Sequence, residues 1–406
     1  ITTAVHNTLI GGLAGDALTD GSANVAIGKD ALSADTRGQN SVAIGRDALL
    51  TQNFTSATDS YNVAVGRGAG QSITTGIQNT LLGGLAGDVL TDADYNVAIG
   101  LSALGGDTKG NKSVAIGANA LAVQNFTSST DSNNTAVGYK AGNAVTNGSG
   151  NTFVGANSGD GTDDGSYNVA IGDSALSANC GNSNVAIGRL AGNALTGTDN
   201  TFVGEQAGAS CVQTNSNTFI GEQAGSTMTT GSNNTILGGF DGNQSIIGDI
   251  RHLSNYVVIS DGDGNSRLWI TGGTNSNQLF SPAVYAWTTS NSANVIVTSS
   301  TGHLARSTSA LKYKQDIRDL ESIDIDKFRP VRYKSKCEVD DQTVDHFGII
   351  ADEVHDAGIT ELVQYGDKNE IEGFEYERLT AVLVKNLQEQ KKTILALEAR
   401  IKTLEG

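Results

Sequence analysis

One phrase recurs along the first three-fifths of the chain and limits what it can fold into. The phrase is Asn or Ser, three residues, Gly, two residues, and usually Ala. It reads NTLIGGLA from Asn7, NVAIGKDA from Asn24 and SVAIGRDA from Ser41. Fourteen copies follow one another at near-constant spacing, the last beginning at Asn234. A longer register links Asn7 to Asn79, Asn24 to Asn96, Ser41 to Ser113 and Asn62 to Asn134. The two longest intervals, Ser41 to Asn62 and Ser113 to Asn134, hold the same phrase, QNFTS, at Gln52 and Gln124. A fixed period means a stacked array, and this one is too short for paired helices, which need about 33 residues.

The core Val-Ala-Ile alternates with period two and has β-branched ends, which predicts a short strand. Val25 and Ile27 then share one face, and Ala26 points to the other, where space is tight. Gly28 follows where the backbone turns with positive φ or meets a neighbour closely. The Asn at the phrase start suits a turn, since its side chain bonds the backbone and tolerates the left-handed region. Each copy therefore reads as one coil of a β-solenoid, with the extra residues of the long coils bulging outward as loops.

Composition divides the rest. Residues 1–242 carry 8 basic and 19 acidic side chains, and residues 309–406 carry 15 and 21. The expected order is a solenoid over 1–242, a β-rich connector over 243–308 and a small α+β domain over 309–406. A coiled-coil helix starts near residue 375. In the connector, residues 255–260, 267–270 and 293–298 read as strands. Asp261-Gly-Asp-Gly-Asn265 imitates a calcium loop, but its twelfth position is Gly272 instead of Glu, so a hairpin loop is the better reading. Tyr256, Trp269, Tyr285 and Trp287 read as packed stem aromatics in preference to a sugar-stacking surface.

Several function classes are excluded or unsupported. A formal charge of −17 argues against binding nucleic acid. No apolar run is as long as a membrane-spanning helix needs, so no helical membrane insertion is expected. Cys180, Cys211 and Cys337 form no CxxC pair and read as idle thiols. His346 and His355 lack partners at ligand spacing and read as surface or packing residues. No cofactor and no metal are expected. The single methionine is Met228, so Ile1 reads as the start of a fragment or processed product.

The repeat phrase resembles the head repeats of trimeric autotransporter adhesins, written N-S-V-A-I-G-x-x-A. The resemblance spans nearly all of residues 7–242, with coils longer than is usual in that family. It implies a left-handed parallel β-roll with three chains side by side. Phage tail fibres borrow the same repeat.

The last part carries three motifs. Ser309, Lys312, Lys314, Asp316 and Ile317 stand in the order Ser, two residues, Lys, one residue, Lys, then acid and Ile. Gly348-Ile-Ile-Ala-Asp-Glu-Val354 follows, and Tyr376 and Leu379 begin a helix. This order resembles the C-terminal intramolecular chaperone domain of endosialidase-type phage tailspikes and tail fibres. The resemblance implies autoproteolysis by a Ser–Lys dyad, with Ser309 as nucleophile, Lys314 as general base and Lys312 as a supporting cation. The bond cut is one of the two flanking Ser309. The spacing of Ser309 and Lys314 does not put both on one helix face, so the dyad must straddle a bend. The family's acid after the serine is Ala310 here, and Ser307–Lys312 repeats the dyad spacing. Ser309-Ala-Leu-Lys312 also matches the S-x-x-K of penicillin-binding enzymes, without the companion elements.

The tail has a heptad, with Thr380, Leu387, Ile394 and Ile401 at a, and Leu383, Gln390, Leu397 and Leu404 at d. The alternative there is an amphipathic helix packed within one chain. The expectation is a homotrimeric phage tail fibre or spike segment, on the virion and outside the cell. Its partners are a host-surface glycan or protein and, through an upstream segment, other tail proteins. A bacterial surface adhesin and a polysaccharide-degrading tailspike are the alternatives.

Overall fold

The computed structural model describes residues 3–244, 246–272, 279–281, 295–297, 304–306, 315–336, 341–366 and 369–405. It divides into two compact units, Ile1–Trp287 and Thr288–Gly406.

The first unit is a parallel β-solenoid of about 14 turns. Each phrase supplies a three-residue strand, such as Val25–Ile27, Val42–Ile44 and Val63–Val65, paired in register with the next coil. From the second coil on, the middle residue points inward and is fully buried, as at Ala26, Ala43, Leu81, Phe153 and Phe219. The flanking residues point out and stay partly exposed.

Glycine at the fifth phrase position is required twice over. Gly28 has φ 134° and Gly100 has φ 135°. A Cβ on Gly100 would lie 2.6 Å from the Gly117 carbonyl oxygen one coil further on. The backbone conformation and the close approach therefore both demand the absence of a side chain.

The phrase asparagine bonds the backbone as expected, but it does not itself take the left-handed corner. It is fully buried, as at Asn24, Asn79, Asn96 and Asn151. Its Oδ1 accepts the N–H of the same position in the next coil, as in Asn96 N–H to Asn79 at 3.0 Å. Its Nδ2 donates to a carbonyl across its own coil, as from Asn79 to Ala93 at 2.8 Å. The left-handed corner belongs to the residue before it: Ala23, Tyr61, Gln78 and Tyr95 have φ between 49° and 61°. The buried amide thus satisfies backbone groups that a narrow core would otherwise orphan.

The core is filled by two alternating devices. Eight residues after the phrase start, thirteen coils are left-handed and carry only Leu or Gly. Leu32, Leu49, Leu104, Leu121 and Leu176 adopt φ of 49° to 53° while fully buried. Where Gly stands instead, a large neighbour takes the space: a Cβ on Gly159 would meet the Phe153 ring at 2.5 Å. Cys180 and Cys211 are buried in this core, and burial pushes the Cys211 thiol up to about 12. Cys337 lies outside the described residues.

The solenoid sheet continues through Val257–Ser260, which pairs with the last coil, and turns antiparallel into Ser266–Ile270. The loop between is the expected hairpin. Asp261 accepts from Asn265 N–H at 2.8 Å and from Arg267, which holds its carboxyl below the usual range. Trp269 is buried and stacks on Phe280 with centroids 5.2 Å apart. Tyr285 and Trp287 lie outside the described residues.

In the second unit, Val295–Val297 pairs antiparallel with Leu304–Arg306. Pro330–Lys334 pairs with Asp345–Ile349, and Val363–Tyr365 with Ile371–Phe374. A short helix, Ala351–Asp356, and the long helix Tyr376–Glu405 complete it. The core is small, built from Phe328, Val354, Ile359, Leu362, Val363 and Val382.

Candidate functional site

Two apolar surfaces and one duplicated polar cluster are the features with functional content. The first surface is the outward row of the solenoid strands. Val25 and Ile27, Val97 and Ile99, and Val169 and Ile171 flank buried alanines and face out. Parallel pairing in register sets these residues in straight columns, about 4.8 Å per coil. Ile171, Ile187, Ile220 and Leu237 are each more than a third exposed. Polar coils would leave threonine at both positions. Here threonine appears at the first and never at the second, so the column of third strand residues is entirely aliphatic.

The second surface is one stripe of the long helix. Only Val382 of this helix is buried. The face bearing Val382, Asn386 and Glu389 packs on its own unit. Asn386 Nδ2 donates to the Ile323 carbonyl at 2.9 Å and Ser322 donates to Glu389 at 2.6 Å. The heptad stripe lies elsewhere: Leu383, Leu387, Ile394, Leu397, Ile401 and Leu404 are all exposed, Leu404 at 79%. A helix packed into its own chain would bury this stripe, and among the described residues nothing covers it.

The motif phrases of the second unit lock together. The Ile349 N–H donates to the Tyr376 hydroxyl at 2.8 Å, and a Cβ on Gly348 would sit 2.5 Å from that oxygen. Gly348 is thus needed for Tyr376 to reach the strand. Glu353 of the same phrase pairs with Arg329, whose guanidinium holds the carboxyl below the usual range. His355 Nδ1 and the Tyr365 hydroxyl are 2.7 Å apart, and His346 stacks on Tyr333, so both histidines pack. Ser309, Lys312 and Lys314 lie outside the described residues.

The long coils correct an expectation. Gln52 and Gln124 do not bulge: both are fully buried, with Phe54 and Phe126 beside them. The longest exposed stretches of these coils are residues 55–57 and 127–129. Gln52 Nε2 donates to Asp35 at 2.7 Å and to Ser41 at 3.0 Å, and its Oε1 accepts from Asn62 at 2.8 Å. Asp35 also accepts the Gly38 N–H at 2.9 Å. Asp107, Ser113, Gln124 and Asn134 repeat the arrangement in the second copy of the longer register. Serine replaces the ladder asparagine at Ser41 and Ser113, and glutamine from the added residues bridges the gap. That pairing of a missing Asn with an inserted Gln was the available signal in the sequence.

Among the described residues no cluster of His, Cys, Asp and Glu could hold a metal, and no helix is long and apolar enough to cross a membrane. Compared with known proteins, the chain matches no family model, no curated protein and no solved structure. It is a mostly β protein with a long parallel β-solenoid and one C-terminal helix, Tyr376–Glu405, an architecture compatible with an elongated structural, adhesin-like or tailspike-like protein.

Proposed function

We propose that the chain is a segment of a homotrimeric phage tail fibre or spike, displayed on the virion for attachment to a host surface. The C-terminal domain, residues 309–406, gathers three chains and is then released by its own Ser309–Lys314 dyad. Residues 1–242 form the shaft or head and 243–308 the connector.

The observation that carries the reading is the uninterrupted aliphatic column on the outside of the solenoid. Soluble single chains rarely expose contiguous apolar strips of this length. Three copies side by side would cover them, and the helix stripe would zip the same three chains at the C-terminal end. The order of the motifs around Ser309, Gly348 and Tyr376 supports the chaperone assignment. The kinetic logic is that registering three solenoids is slow and non-local. A removable clamp raises the local concentration of chains. In the cleavage step the Ser309 hydroxyl attacks a flanking carbonyl. Lys314, as a neutral amine, takes the hydroxyl proton and delivers it to the departing amine, and water then hydrolyses the ester so formed, releasing a carboxylate and restoring the Ser309 hydroxyl.

Intact mass of the wild type beside Ser309→Ala and Lys314→Ala tests the dyad. The wild type should release a piece beginning at Ser309 or Ala310, and both variants should remain whole. An uncut wild type, or cleavage in both variants, removes the dyad from the account.

A further inference from the structure

The aromatic residues of the solenoid sort by type. Its six phenylalanines, Phe54 and Phe240 among them, are buried. Its four tyrosines, Tyr61, Tyr95, Tyr139 and Tyr167, are all about half exposed or more. Three of these four stand at one repeat position, the left-handed corner directly before the phrase asparagine, with φ of 49° at Tyr61 and 61° at Tyr95 and Tyr167. In-register stacking puts them in one column along the solenoid. Tyr61 and Tyr95 are two coils apart, about 10 Å, with Gln78 between them. A bulky residue at positive φ carries a backbone penalty, and half-exposed rings recover little of it inside the chain.

The Tyr167 ring lies close to the coil before it. A Cβ on Gly150, one coil earlier in the same column, would fall 2.8 Å from Tyr167 Cδ1 and 3.0 Å from Cε1. The ring is therefore laid back along the surface over the bare glycine, with one edge or face on the backbone and the rest, 68% of the residue, open to water. Exposed rings in one column, with a side-chain amide between two of them, match the needs of a linear polysaccharide. The C–H face of a pyranose packs on a π face. A sugar spans about one coil rise, so alternate sugars meet rings and the one between meets an amide. The solenoid's 19 acidic against 8 basic side chains disfavour a polyanion.

We infer that the Tyr61–Gln78–Tyr95 column is a stacking platform for a neutral linear polysaccharide lying along the solenoid axis, with Tyr167 further along the same track. The inference rests on the host-attachment reading and names its ligand class. The column occupies the corner that precedes the strand and not the outward strand face assigned to chain association.

The test uses the full chain and a panel of linear neutral hexasaccharides beside sialic-acid- and uronate-bearing counterparts, with adhesion to host cells measured in parallel. Asparagine is the replacement of choice, since Asn40 and Asn133 already fill this corner in other coils. Expected are retention of a neutral hexasaccharide, an affinity loss of at least tenfold in Tyr61→Asn/Tyr95→Asn, and no change in Tyr139→Asn, which lies in another column. Unchanged binding in the double variant, or retention of acidic glycans alone, overturns the platform. Cell adhesion that persists without any glycan retention, or that the double variant leaves intact, overturns the platform while attachment stands. Loss of both readouts in the wild type ends both readings.

Discussion

The side-chain oxygen of Asn151 accepts the backbone N–H of Asn168 at 2.9 Å, one full coil away and in a fully buried setting. The Asn151 amide simultaneously donates to the Gly165 carbonyl at 2.9 Å. Replacing Asn151 with Ala leaves one donor and one acceptor buried and unpaired. Each such group costs about 1–3 kcal/mol, so Asn151→Ala should destabilise the solenoid by about 2–6 kcal/mol. Denaturant melts of the β signal check this. A loss under about 0.5 kcal/mol, the range of an ordinary surface substitution, would contradict the ladder.

Gly100 and Gly12 form a matched pair. Gly100 has φ 135° and a carbonyl oxygen 2.6 Å from its absent Cβ, whereas Gly12 has open space there. Gly100→Ala should abolish folded, soluble protein or lower its melting temperature sharply. Gly12→Ala should behave as wild type. Thermal melts of the two variants side by side distinguish a true steric need from a general preference for glycine in loops.

The inserted glutamine predicts a third loss. Gln52→Leu keeps volume but strips the Asp35 carboxylate of an amide donor in a buried setting. Leaving a buried hydrogen-bonding group unpaired costs about 1–3 kcal/mol, and the equivalent Gln124→Leu should cost a similar amount because Asp107 stands in the same relation. Hydrogen exchange should show the loss confined to the coils around residues 35–62 or 107–134. Uniform loosening of all coils would argue against a local bridge.

Acid should loosen the second unit through Glu353. Its ordinary value is 4.5, and Arg329 lowers it in the fold. A lowered carboxyl contributes stability that is fully present above pH 4.5 and fades as pH falls through the folded value. Asp94 and Asp88 have the opposite sign, since burial raises both, so acidification does not weaken the solenoid through them. Thermal melts across pH, with and without Glu353→Gln, should show the variant losing part of the acid dependence of the helical signal. An identical pH profile in the variant would remove Glu353 from the explanation.

The solenoid was legible because its signal repeats: strand, inward apolar residue and obligate glycine all follow from one phrase, Val25-Ala26-Ile27-Gly28 in its second copy, read in fourteen variants. The ladder asparagine was half legible. Asparagine suits both a left-handed corner and a side-chain bond to backbone, and one sequence does not say which. The structure gives the corner to the residue before it. The buried left-handed leucines were hidden by propensity, since a leucine in the left-handed region is unfavourable. Their signal was the strict choice of Leu or Gly at one position. The inward turn of Gln52 was missed because insertions usually loop out, and it depends on the serine that replaced Asn at position 41. The helix start was read to within one residue, near 375 against Tyr376. The dyad of Ser309 and Lys314 rests on motif order.

The most direct test of threefold association is the solution mass of the Ser309→Ala chain by sedimentation equilibrium, beside Leu387→Asp/Ile394→Asp. One chain is 41.8 kDa. The account predicts three times that mass for the first protein, and a shift toward single chains or aggregates when the helix stripe is charged. A well-folded, stable species at the mass of one chain, with its aliphatic columns open to water, would contradict it.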